Sequence, residues 1–89
     1  MKHRYLEVTF RKGKPLAAYL YLPRPAGAKA VRTKDAGHGL RIDFDAKGTP
    51  IGVEITAPGA VTIAELNALL APLGVANVEP EEWAPLAAA

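Results

Sequence analysis

Apolar and polar residues alternate with period two in three clear stretches of this chain, and the period changes after Pro58. The clearest stretch is Gly39 to Ala57, GLRIDFDAKGTPIGVEITA. In its first arm Leu40, Ile42 and Phe44 point one way and Arg41, Asp43 and Asp45 the other, because strand side chains alternate between faces. Ile51, Val53 and Ile55 repeat the pattern against Gly52, Glu54 and Thr56. Asp45, Gly48 and Pro50 supply a turn between the arms, with Gly48 suited to a positive φ. One register keeps both apolar sets together, pairing Phe44 with Ile51, Ile42 with Val53 and Leu40 with Ile55. It sets Arg41 opposite Glu54 as a cross-strand ion pair and Asp43 opposite Gly52, which has no side chain.

Tyr5 to Arg11 alternates in the same way, with Leu6, Val8 and Phe10 inward. The basic run Arg11 to Pro15 reads as a turn. Leu16 to Leu22 follows, with Leu16, Ala18, Leu20 and Leu22 on the core face and Ala17, Tyr19 and Tyr21 outside. Pairing Phe10 with Leu16 brings Val8 beside Ala18, Leu6 beside Leu20, Tyr5 beside Tyr21 and Glu7 beside Tyr19. Pro23, Pro25 and Gly27 then end the strand. Ala28 to Lys34 alternates weakly and fits a lysine-guarded edge strand as well as coil. Asp35 to Gly39 reads as a turn.

Beyond Pro58 and Gly59 the period becomes helical. Thr62 and Glu65 have capping-box spacing, and Val61 and Leu66 that of a hydrophobic staple. The helix is expected from Ile63 to about Ala71, where Pro72 disfavours helical geometry and Gly74 suits the exit. Ile63, Leu66, Leu70 and Leu73 form its core stripe. Ala64, Ala68, Leu69 and Ala71 widen the apolar surface past what one sheet covers, which calls for the C-terminal segment or a second subunit. Val75 to Val78 reads as extended. Glu79 to Trp83 reads as a second helical start, limited to about a turn by Pro85. Trp83 either packs the tail onto the domain or serves an interface.

With 89 residues there is room for one domain and a small core. The expected division is a sheet-and-helix domain over 1–74 and a C-terminal tail over 75–89 that docks through Trp83. The chain has no cysteine, which excludes disulfides and thiolate metal sites and fits a cytoplasmic protein. The start MKHRYLEVTF lacks an apolar signal region, and no run approaches the roughly 18–20 apolar residues that span a bilayer. The net charge of +2 conceals an asymmetry: residues 1–34 sum to +8 and residues 35–89 to −6. That polarity suits a nucleic-acid surface, a like-folded partner, or neutralisation within one fold.

Catalytic chemistry finds little to work with. His3 and His38 have no ligand partners at metal-binding spacing. Asp43, Asp45 and Glu54 share a strand face, yet Asp45 suits the turn and Glu54 the pair with Arg41, and nothing apolar there would raise a carboxylate pKa. The chain has no serine, and no phosphate-binding loop or nucleotide fingerprint. Arg11, Lys12 and Lys14, near the outward Tyr5, Tyr19 and Tyr21, combine positive charge with rings able to stack on bases. Glu7 lies in the middle of that face.

The run LAAYLYL followed by GLRIDFDAKGTPIGVEITA resembles the small bacterial and archaeal proteins grouped as domain of unknown function 2283. Their pattern is an alanine-leucine-tyrosine strand, a hairpin with Asp, an aromatic residue, Asp and Gly, and then a Gly-hydrophobic-Glu strand. Asp43, Phe44, Asp45, Gly48, Gly52 and Glu54 match that hairpin signature, and the likeness extends from about Tyr5 to Leu73. The basic loop Arg11 to Pro15 departs from the acidic approach usual in the family. The resemblance brings no established activity. The pairing of some members with small toxins implies an antitoxin-like, protein-binding role.

Together these features predict an α+β domain: a four-stranded antiparallel sheet of two β-hairpins with one main helix packed on one face. The expected function is that of a non-enzymatic protein-interaction module, homodimeric and a regulatory or antitoxin-like partner of another small protein. Its interface residues are Tyr5, Tyr19, Tyr21, Leu69 and Trp83. No cofactor, metal or membrane is expected. The alternative is a small RNA- or DNA-binding protein using Arg11, Lys12 and Lys14 with the neighbouring tyrosines.

Overall fold

The computed structural model describes residues 3–87, so residues 1, 2, 88 and 89 of the two expected regions lie outside the described residues. Five antiparallel strands, β1 (Tyr5–Arg11), β2 (Lys14–Tyr21), β3 (Arg32–Gly37), β4 (Leu40–Phe44) and β5 (Pro50–Ile55), stand in the spatial order β1-β2-β5-β4-β3. Two helices follow, α1 (Ile63–Leu70) and α2 (Pro80–Ala87). After β2 the chain crosses to the far edge and returns through β3, β4 and β5 to lie beside β2. That is a Greek-key path. The class is α+β, with five strands where four were expected. The added strand, β3, has every residue exposed except the half-buried Ala36. Ala28 to Lys34 fits an edge strand as well as coil, since so little buried face leaves only a weak period, and pairing of Arg32, Thr33 and Lys34 with β4 decides for the strand. It begins at Arg32 and absorbs Asp35 and Gly37, which reduces the expected turn to His38 and Gly39, with φ of 54° and 74°.

The pairings Leu40–Ile55, Ile42–Val53, Arg41–Glu54 and Asp43–Gly52 occur as read. So do Val8–Ala18, Leu6–Leu20, Glu7–Tyr19 and Tyr5–Tyr21. Both registers slip at the turn end. Phe44 faces Pro50 rather than Ile51, and Phe10 faces Pro15 rather than Leu16, because a bulge puts one extra residue into each ladder. At the β1–β2 tip, Phe10 and Leu16, expected on the core face, are 55% and 51% exposed. The core takes Ala18 and Leu20 from this hairpin, with the half-buried Leu6 and Val8 packed against it, and ends short of its tip.

Helix α1 starts as its sequence dictates. Thr62 N–H donates to Glu65 Oε1 at 2.9 Å and Glu65 N–H to Thr62 Oγ1 at 3.1 Å, satisfying two otherwise orphaned amides. It closes through a 3-10 turn at Ala71–Leu73 onto Gly74, whose φ is 74°. The segment over 75–79, which includes the stretch Val75 to Val78 read as extended, forms no regular element. Its backbone is held by a side chain instead: Asn67 Oδ1 accepts from Val78 N–H at 2.7 Å and Asn67 Nδ2 donates to Val78 O at 3.2 Å.

Helix α2 continues through Pro85, where a single turn was expected. Burial of Trp83 and Leu86, 8% and 2% exposed, in the core holds it beyond the hydrogen bond that proline deletes. Val78, Trp83 and Leu86 join Leu66 and Leu70 in one cluster with Leu20, Val53 and Ile55, so the same chain supplies the additional cover for the apolar helix surface. Arg4 fastens this arrangement. Its Nε and Nη2 donate to Glu82 at 3.0 and 2.9 Å, and its remaining N–H groups reach the carbonyls of Ala76 and Asn77.

Candidate functional site

With helices on one face of the sheet, period-two alternation sends the other residues of β1, β2, β5, β4 and β3 to the opposite face. One row there reads Tyr5, Tyr21, Gly52, Asp43 and Thr33 across the strands, and the next Glu7, Tyr19, Glu54, Arg41 and Asp35. No described helix covers these rows.

Aromatic contacts organise their centre. Tyr5 and Tyr21 stack with centroids 4.4 Å apart and an interplanar angle of 16°, and Tyr19 meets Tyr21 edge-on at 4.7 Å and 67°. The Arg24 guanidinium carbon lies 5.3 Å from the Tyr21 ring centroid, within cation–π range. Tyr21 donates its hydroxyl to Glu7 at 3.3 Å. Tyr19 crosses Gly52 to donate to Asp43 Oδ2 at 2.7 Å, and Thr33 donates to Asp43 Oδ1 at 2.6 Å. Asp43 therefore joins β2, β3 and β4 through side chains, a role its facing glycine alone does not disclose. Burial, then the bond to Asp43, pushes the Tyr19 hydroxyl pKa far above the usual tyrosine range. Tyr21 is raised in the same direction, first by desolvation and then by the Glu7 charge.

Gly52 makes the crossing possible. A Cβ at this position would stand 1.9 Å from Tyr19 Oη. Two other signature residues serve the turn: Asp45 Oδ1 accepts from Lys47 and Thr49 N–H, both at 2.9 Å, and Gly48 has φ 82°. Glu54 faces Arg41 in the ladder, but the ion pairs recorded among the described residues are Arg4–Glu82 and His38–Glu65. The expected Arg41–Glu54 bridge does not close, so Glu54 keeps its carboxylate for other contacts.

The sequence-predicted interface residues separate. Tyr5, Tyr19 and Tyr21 come together, and Tyr5 is 49% exposed. Leu69 is half-buried on α1 against the core, on the other side of the sheet. Trp83, an interface candidate from sequence, is buried within its own fold and offers a partner almost no surface. Arg11, Lys12 and Lys14 are exposed at the β1–β2 tip, at the end of the tyrosine rows. Arg24 and Thr33 belong to the cluster and were missed. Thr33 becomes visible only once β3 is recognised as a strand beside β4, and Arg24 lies in a proline-bounded loop without periodicity.

The two rows carry Glu7, Glu54, Asp43 and Asp35 against Arg41, with Arg24 over Tyr21, an excess of acid around the rings. Among the described residues no group of three side chains is placed to hold a metal ion, and no helix is long and apolar enough to cross a membrane. No protein-family model, curated protein or solved structure matches the chain. The resemblance to domain of unknown function 2283 therefore rests on its quoted residues alone.

Proposed function

We propose that this protein is a non-enzymatic interaction module that acts as a homodimer and binds a small protein on the open sheet face. The supporting observation is the ordered Tyr5–Tyr21–Tyr19 cluster on a face that no described helix covers. Rings held by one another and by hydrogen bonds lose little conformational entropy when a partner docks, so aromatic patches of this kind favour protein contacts. The acid excess of Glu7, Glu54, Asp43 and Asp35 favours a partner that presents lysine or arginine beside an apolar patch. The same excess disfavours phosphate, and Tyr21 spends its ring faces on neighbours rather than on bases. In the cell such a module is a regulatory or antitoxin-like partner in the cytoplasm.

The test is affinity capture from nuclease-treated and untreated native extract, with the wild-type chain and a Tyr5→Ala/Glu54→Lys variant as baits. The expected result is one stoichiometric basic protein held by the wild type and lost by the variant. Capture that disappears with nuclease, or with Lys12 and Lys14 changed to alanine while the Tyr5/Glu54 variant still binds, would transfer the function to nucleic acid, with the steep salt dependence of phosphate contacts.

A further inference from the structure

The two sheet edges are built differently. On β3 the exposed Arg32, Thr33, Lys34 and Asp35, together with a register break before Gly37, blunt the strand against further pairing. On β1 no lysine, proline or inward charge interrupts Leu6, Val8 and Phe10.

The hydrogen-bonding side of β1 follows from its neighbours. Leu22 N–H donates to Ile51 O at 3.1 Å, and Leu22 is two residues beyond Leu20 and four beyond Ala18. Alternate residues of an antiparallel strand turn their N–H and C=O to opposite sides. Ala18, Leu20 and Leu22 therefore bond toward β5, while Ala17, Tyr19 and Tyr21 bond to Thr9, Glu7 and Tyr5 of β1. The N–H and C=O groups of Leu6, Val8 and Phe10 are left facing the open edge.

We propose that two copies of this chain pair antiparallel through β1 about a two-fold axis at Thr9. This rests on the homodimer of the preceding reading and names its surface. In that register Val8 faces the second copy's Phe10, so the exposed ring extends the apolar row of Leu6 and Val8 in the other copy. On the tyrosine face Glu7 meets the second copy's Arg11, twice by symmetry, and Thr9 meets Thr9 on the axis, all pairings that stabilise sheets. With Val8 on the axis Glu7 would face Thr9, and neither carboxylate would have a cation directly opposite. The product is a ten-stranded sheet whose two tyrosine clusters lie on one continuous surface.

The chain has no cysteine, so Thr9→Cys introduces a single thiol. Across the axis the two Cα atoms of a non-hydrogen-bonded pair stand about 4.5 Å apart, within disulfide range. The expected result is a dimer by light scattering. Thr9→Cys should oxidise to a linked dimer of the same elution volume while a Thr33→Cys control on β3 does not. Glu7→Arg should weaken the dimer about tenfold, and adding Arg11→Glu should restore it. A monomer at every soluble concentration, or a dimer in which Thr33→Cys links as fast as Thr9→Cys, overturns the proposal. Mass and cross-linking are read without any partner present, so a negative result here leaves the capture experiment independently interpretable.

Discussion

Tyr19 places its hydroxyl 2.7 Å from Asp43 Oδ2 by laying its ring across Gly52. The contact links strands that are not neighbours, since β5 lies between β2 and β4. It explains two residues of the hairpin at once: a carboxylate with no side chain opposite it, and a glycine inside a strand.

Substituting Gly52 with alanine should therefore displace Tyr19 rather than merely stiffen β5. The loss is expected to be about 2 kcal/mol, the scale of a hydrogen bond to a charged group. In a double-mutant cycle by urea denaturation, Gly52→Ala should cost much less in a Tyr19→Ala background. Equal cost in both backgrounds would mean that the ring does not depend on the glycine.

Asp43→Ala removes the acceptor of both Tyr19 and Thr33 and should destabilise the domain by about 2–3 kcal/mol. The wild-type Tyr19 hydroxyl has its pKa raised in the folded state. Its stabilising contribution is accordingly full below the ordinary tyrosine value of about 10 and is lost as pH rises through the higher folded value. In spectrophotometric titration a phenolate that the wild type releases only above the ordinary tyrosine value should be absent in Tyr19→Phe.

Much of this architecture is legible in the sequence, and the reason differs by element. The capping box at Thr62 and Glu65 and the inner registers of both strand pairs follow from local chemistry and from faces that must be buried. The bulges at Phe10 and Phe44 were not legible, because alternation fixes a face and not the number of residues in a turn. Strand β3 was legible only as one of two readings of Ala28 to Lys34, edge strand or coil, because exposed Arg32, Thr33 and Lys34 carry no apolar period. Trp83 could be placed in the core or at an interface from sequence; the cover that α1 requires decides for the core. The tyrosine cluster was predicted as a face, while its bonds across Gly52 needed the actual strand order.

Arg4 and Glu82 join the start of the chain to α2. The Arg4 hydrogen bond, then the Glu79 N–H, lowers the Glu82 pKa, so this carboxylate stabilises the fold above its ordinary value of about 4.3 and ceases to as pH falls through the lowered one. Arg4→Ala should cost about 1–2 kcal/mol at pH 7. The difference from wild type should shrink in denaturation curves taken below pH 4.

Trp83 should emit at short wavelength and resist quenching by iodide, as its 8% exposure requires. Trp83→Ala should remove about 3–5 kcal/mol, enough to unfold a domain of this size. Iodide quenching at the rate of free tryptophan would contradict the docking of α2.

A protein partner seated on the open tyrosine face, as proposed, shields the acids of that face. Carbodiimide footprinting of the captured complex, read by mass spectrometry, detects this shielding residue by residue. Glu54 and Asp35 should lose reactivity on binding, while acetic anhydride labelling of Lys12 and Lys14 stays unchanged. Protection of those lysines with Glu54 and Asp35 still fully reactive would overturn the proposal.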